Sequence, residues 1–195
     1  MNQFEESRNK YKVKEKKLIS TYRDGYIGKN IYEVTLNNGV TRKVEQITKA
    51  GREGDAVIII PITKDNKYVV IVESRPNTRE TTCIEFPAGM VDSGEDHATA
   101  AARELLEETG YKPEKLVELE WHYQDQGCSG AIIKSFVAYN CERVQDQRLD
   151  DTESIDSFEL TEEEVNDLAL NNEITDSGSR LAYFTYTLKK QNKTS

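Results

Sequence analysis

The run Gly89–Tyr111, GMVDSGEDHATAAARELLEETGY, constrains this chain more than any other stretch. It reads as one helix with a marked start and stop. Ala98, Ala101, Ala102, Leu105 and Thr109 recur at the i, i+3, i+4, i+7 spacing of a core-facing stripe. Ser93 or Asp96 can cap the N-terminus, and Gly110 suits the left-handed position that ends a helix. On this helix Glu104, Glu107 and Glu108 share about 100° of arc. Glu104 and Glu108 form a like-charged i,i+4 pair, which costs roughly 0.2–0.5 kcal/mol. Glu107 and Glu108 also lie in the last turn, where the helix dipole disfavours anions. Stability alone would favour Lys or Arg there. A bound divalent cation offsets these costs, because hard ions such as Mg²⁺ take carboxylate oxygens and retain waters for chemistry. Arg103, one turn before Glu107, is placed to brace it.

A Glu-Glu-X-Gly run by itself is an ordinary solvated acidic face. Here Gly89, Glu95, Arg103, Glu104, Leu105, Glu107, Glu108 and Gly110 occupy every fixed position of GX5EX7REUXEEXGU. The run thereby resembles the box of the Nudix hydrolases, which cleave nucleoside diphosphates linked to another moiety. Tyr111 stands where the pattern asks for an aliphatic residue, and a bulky aromatic fills the same core slot.

At 195 residues the chain suits one medium domain, or a core domain with a small accessory. Its net charge of −9 argues against nucleic acid or an anionic membrane surface as partner. An anionic substrate therefore needs metal and local arginines to approach. Cys83, Cys128 and Cys141 are odd in number and widely spaced, with neither a zinc pattern nor a disulfide framework, which points to a reducing cytoplasm. The N-terminus is mixed in charge without an apolar stretch, so no signal peptide is expected. The longest apolar run, Ala56 to Ile62, is too short for a membrane span and reads as a buried strand.

Two parts are expected along the chain. Residues 1–50 form a small N-terminal antiparallel β meander, with strands at Lys17–Tyr22, Ile31–Leu36 and Thr41–Thr48 joined at Asp24-Gly25 and Asn37-Asn38-Gly39. So small a sheet must lean on the rest of the chain or on a second subunit. Residues 51–195 carry strands at Ala56–Ile62, Tyr68–Glu73, Leu116–Tyr123, Ile132–Tyr139 and Ser157–Leu160 around the box helix. Thr161 to Glu164 opens a capping-box helix, and a last helix runs from about Ser177 to Lys190. This order predicts an α/β fold, a sandwich with a mixed sheet. The family resemblance independently implies the same α/β/α arrangement.

Outside the box, the Arg75 … Glu85-Phe86-Pro87-Ala88-Gly89 layout and the meander resemble the ADP-ribose pyrophosphatase branch. That resemblance implies a homodimer in which N-terminal strands are exchanged, and a nucleoside diphosphate sugar as substrate. It implies metal ligation by the Ala88 carbonyl with Glu104, Glu107 and Glu108, using Mg²⁺, for which Mn²⁺ can substitute. Glu107, Glu108 and Arg103 fall in the catalytic set. Asp151 and Glu153, in the acidic Asp150–Asp156 loop, are the candidates to activate water. Arg75 and Arg79 are matched in geometry to a diphosphate, and Glu85 and Gly89 join them on the substrate side. No separate organic cofactor is expected. The Gln126–Ala131 loop departs from the branch: Gln126 stands in place of a proline, and Gly130-Ala131 in place of an acid. The expected reaction is hydrolysis of ADP-ribose or a related ADP-sugar to AMP and a sugar phosphate. The altered loop keeps another nucleoside diphosphate derivative open (GDP-mannose, NADH, a flavin or a coenzyme A compound). A non-catalytic nucleotide sensor is the remaining alternative.

Overall fold

The computed structural model describes residues 2–50 and 53–194. The boundary expected after residue 50 adjoins residues 51 and 52, which lie outside the described residues. By its internal contacts the chain divides into two compact units, Met1–Gly54 with Tyr123–Ala131, and Asp55–His122 with Ile132–Ser195.

The first unit holds α1 (Gln3–Tyr11) and the strands β1 (Val13–Asp24), β2 (Ile27–Leu36) and β3 (Thr41–Thr48). The three strands form an antiparallel meander in the order β1-β2-β3. Its turns fall where Gly25 and Gly39 take φ of 77° and 85°, a region open to glycine without a Cβ clash. Val34 and Leu36 are buried, whereas β1 is exposed along all 12 residues. α1 was not expected, because its nine residues have no apolar stripe, and none of them is buried. It starts where the Asn2 side chain accepts from Phe4 N–H at 3.1 Å.

The second unit holds β4 (Ala56–Thr63), β5 (Tyr68–Ser74), β6 (Thr82–Glu85), β7 (Ala88–Met90), α2 (His97–Thr109), β8 (Tyr111–Lys112), β9 (Lys115–Tyr123, whose last residue joins the first unit), β10 (Ile132–Arg143), β11 (Ile155–Leu160), α3 (Glu162–Leu170) and α4 (Ser177–Thr194). The sheet runs β11-β5-β4-β10-β8, with β6 on β5, β7 on β4 and β9 on β10. β4 and β10 are parallel, and the other ladders with described registers are antiparallel. The sheet is therefore mixed, as expected.

β4 explains the layering. Its continuous apolar run is what a strand covered on both faces requires. Val57 and Ile59 point to one side, where they pack with Ala100, Ala101 and Leu105 of α2. Ile58, Ile60 and Ile62 point to the other, where they meet Val165 and Ala169 of α3 and Ala182, Tyr183 and Tyr186 of α4. Pro61 is tolerated in this central strand because it falls between the β7 pairing at residues 56–58 and the β5 pairing at Ile62. α3 opens with the expected capping box: the Thr161 hydroxyl accepts from Glu164 N–H at 3.2 Å, and the Glu164 carboxylate accepts from Thr161 N–H at 2.7 Å. No helix among the described residues is long and apolar enough to cross a membrane.

Candidate active site

The site is built on α2 and the short strand β7 that faces its start. Asp96, not Ser93, is the N-cap: its side chain accepts from Ala98 N–H at 2.9 Å and Thr99 N–H at 3.1 Å. Gly110 ends the helix at φ 75°, and its N–H donates to the Leu106 carbonyl at 2.9 Å. The buried face is His97, Ala100, Ala101, Glu104, Leu105, Glu108 and Thr109. The expected stripe is thus corrected. Ala98 and Ala102 are exposed, and the helix is rotated so that two carboxylates, not two alanines, turn inward. Glu104 and Glu108 are 8% and 3% exposed, while the Glu107 side chain keeps 41% of its surface.

Two backbone features of β7 receive these carboxylates. Ala88 N–H donates to Glu108 Oε2 at 3.0 Å. Gly89 lies so close to Glu104 that an added Cβ would overlap its carboxylate. Only glycine permits that approach. The Gln147 side chain bonds the Glu108 carbonyl and donates to the Ile155 carbonyl at 3.2 Å, tying the helix end to β11.

Arg103 is committed to the end of β7, the loop after it and its own helix. It reaches Glu95 at 2.9 Å, Glu104 at 2.8 Å, Glu107 at 3.1 Å and the Met90 carbonyl at 3.0 Å. The bond from Arg103 holds the Glu95 carboxyl below its ordinary range, and Glu95 also accepts from Asp92 N–H at 3.2 Å. Arg75 bridges Glu73 at 2.7 Å and Glu85 at 2.8 Å. Arg79 is exposed in the turn between β5 and β6.

Negative charge dominates this site. Burial pushes the Glu104 carboxyl up to about 7, against the pull of Arg103. Burial, and then the Glu104 charge, raise Glu108 well above the ordinary value. Burial also lifts Glu85 to about 7 and raises Glu73. The charge of Glu153 acts on Glu73, Glu104 and Glu108 together. So the Asp150–Glu153 turn, closed by Glu153 N–H to the Asp150 carbonyl at 2.9 Å, brings Glu153 toward the box. Asp151 in the same turn is exposed.

Among the described residues, no group of three or more His, Cys, Asp or Glu side chains is arranged so that it could hold a metal ion. Glu104 is turned to Arg103 and Glu108 to Ala88 N–H, which accounts for this. The donor set nevertheless fits a hard divalent cation. It is all oxygen, Glu104 and Glu108 are buried, and burial first, then neighbouring carboxylates, raise the pKa of both. Sequence reasoning assigned no role to Glu73, Gln147 or Ser179. Glu73 carried a signal, an acid closing a buried apolar strand. Gln147 and Ser179 carried none, because their partners lie far along the chain.

The chain is similar to several known proteins. The NUDIX domain family matches residues 52–180. An ADP-ribose pyrophosphatase of Bacillus subtilis is 30% identical over 161 residues, covering 82% of this chain and 84% of that protein. A methanol dehydrogenase activator of Bacillus methanolicus is 36% identical over 151 residues, 77% of this chain and 79% of its own. Among solved structures, an ADP compounds hydrolase superposes with a TM-score of 0.76 over 94% of this chain and 96% of that one, at 22% identity.

Proposed function

The chain belongs to the Nudix domain family, and from that premise we propose that it hydrolyses the diphosphate bond of ADP-ribose or a related ADP-sugar to AMP and a sugar phosphate. The observation that carries this reading is the buried Glu104–Glu108 pair set against Ala88 and Gly89. Enzymes of this family work with a divalent cation, and Mg²⁺ is our choice here, with Mn²⁺ able to replace it. Glu104 and Glu108 would hold it, with Glu107 and the Ala88 carbonyl completing the set. Such an ion supplies Lewis acidity, offsetting charge on phosphate oxygens and lowering the pKa of water.

The chain's own residues do the rest. Glu153 is the favoured general base over Asp151, because its charge reaches Glu104 and Glu108. It takes the proton as the water oxygen bonds to phosphorus, and the bridging P–O bond breaks in line. Arg75, with 39% of its side chain exposed, and Arg79 would meet the diphosphate. Glu85 holds Arg75 in place. Arg103 and Glu95 fix the box without touching substrate.

A homodimer is part of the proposal. Val13, Leu18, Ile19, Tyr22, Tyr26 and Ile27 are large, apolar and exposed on the meander, and a second copy would cover them. Free Cys83, Cys128 and Cys141 favour a cytoplasmic setting. The second reading, a sibling substrate, rests on the Gln126–Ala131 loop. Turnover of ADP-ribose, ADP-glucose, GDP-mannose, NADH and FAD in Mg²⁺ and in EDTA, with products identified by mass, decides between them. Metal-dependent release of AMP and ribose 5-phosphate, fastest from ADP-ribose, is expected. A faster reaction on GDP-mannose, NADH or FAD would move the function to the sibling class.

A further inference from the structure

We propose that Ser179, on the C-terminal helix, is a positioning residue for the cation-holding segment, an inference that rests on the hydrolase reading above. Ser179 is fully buried in the first turn of α4. Its N–H donates to the Asp176 carboxylate at 2.6 Å, and Arg180 N–H donates to the Asp176 carbonyl at 3.1 Å. This cap fixes the turn, and the Ser179 hydroxyl then accepts from Phe86 N–H at 3.1 Å. Phe86 is itself fully buried, so water does not offer that N–H a substitute partner.

Besides its ladder pairs (Glu85 with Ile71, Ala88 with Ile58, Gly89 with Val57), the segment Glu85–Gly89 has three further anchors. Phe86 N–H is held by Ser179 of α4. The Pro87 carbonyl accepts from Ile59 N–H of β4 at 2.8 Å. Ala88 N–H is held by Glu108 of α2. Proline has no N–H, so Ser179 is the last hold on the amide side before Ala88. The helix behind it cannot follow a shifting segment: a Cβ at Gly178 would overlap Ile58 Cδ1, which shows how tightly this turn is seated on β4. Ser179 therefore acts with the β4 pairing of Ala88 and Gly89 to set the height at which Ala88 meets Glu108 and Gly89 meets Glu104. It also sets Glu85, one residue upstream, against Arg75.

The test uses the full-length protein and Mn²⁺ alone as probe, titrated by electron paramagnetic resonance in wild type, Ser179→Ala, Ser179→Cys and Ala182→Gly. Ala182 is fully buried on the same helix but does not bond the segment. Ser179→Ala is expected to weaken Mn²⁺ binding about tenfold, the usual scale for losing an outer partner of a metal site. Ser179→Cys fills the same space with a weaker acceptor. It gives a smaller shift and keeps the test open if the alanine variant does not fold. Ala182→Gly lowers Tm but leaves Mn²⁺ affinity at the wild-type value. Wild-type affinity in both Ser179 variants overturns the proposal, as does equal weakening in Ala182→Gly. A wild type that binds Mn²⁺ but hydrolyses no compound of the panel overturns the substrate reading alone. A wild type that binds no Mn²⁺ overturns both.

Discussion

Replacing Glu104 by Gln removes a titrating group whose burial leaves a calculable mark on stability. The Glu104 carboxyl sits at about 7 in the folded protein, against an ordinary 4.5. The native state therefore keeps a proton that the unfolded chain has released. With the native state binding more protons, stability falls as pH rises from about 4.5 to 7, and the loss is complete above that. At ~1.36 kcal/mol per pH unit, this window represents about 3 kcal/mol. Gln cannot titrate, so in EDTA the variant gains about 3 kcal/mol on wild type between pH 4.5 and 7.5. For a chain of this size that is a relative Tm change of about 6–12 °C. The 2.8 Å contact of Arg103 with Glu104 becomes an ion pair only as Glu104 ionises, and that effect is already contained in the folded pKa; exchanging a neutral acid for an amide adds a difference with little pH dependence. The diagnostic is consequently the change with pH, not the sign at any one pH. Urea unfolding of both proteins across this range measures it. Adding Mg²⁺ at 100 times its Kd should restore about 2.7 kcal/mol to wild type at pH 7.5 and much less to the variant. Stability curves that stay parallel within about 0.5 kcal/mol would refute the reading.

The choice of general base is open to a paired test. Glu153→Gln should lower kcat by about 10²–10⁴, whereas Asp151→Asn, altering an exposed side chain of the same turn, should change it less than about threefold; the reverse order would move the base to Asp151. Gly89→Ala places a Cβ where the Glu104 carboxylate now lies. Because that carboxylate is the end of a flexible side chain, the expected result in calorimetry is Mg²⁺ binding about tenfold weaker or worse, with only a small loss of Tm. Unchanged Mg²⁺ affinity would place the ion elsewhere.

The parts of this site that lie close together in sequence were legible there. The helix, its Gly110 stop, the Arg103 brace and the three glutamates all fall within the one box. The error in that stretch was one of facing. A stripe of alanines puts Ala98 and Ala102 inward, whereas the close approach allowed by Gly89 draws Glu104 in, the Ala88 N–H holds Glu108, and those alanines are left to solvent. Strands β6, β7 and β8 span only two to four residues, too short for an alternating pattern to register. The Arg75 bridge depends on Glu73 and Glu85 meeting across the β5–β6 ladder. Ser179 meets Phe86 across 93 positions, and only the packing of α4 on β4 brings them together.

Arg103 and Arg75 show how similar residues are given different work by their surroundings. Arg103 spends its guanidinium on three carboxylates and a carbonyl, and its side chain is 28% exposed. Those partners lie on its own helix, the preceding loop and the end of β7, so removing Arg103 would unbalance the box before it affected any ligand. Arg75 reaches two carboxylates through Nε and Nη2, and Nη1 takes no part in those bonds. Its side chain is the more open of the two, at 39% exposed. A planar guanidinium anchored along one edge and open along the other is pre-set for an anion, because its orientation is fixed before the ligand arrives. Glu73 and Glu85 thus serve binding by holding Arg75 still. Their raised carboxyls follow from the burial which that position demands.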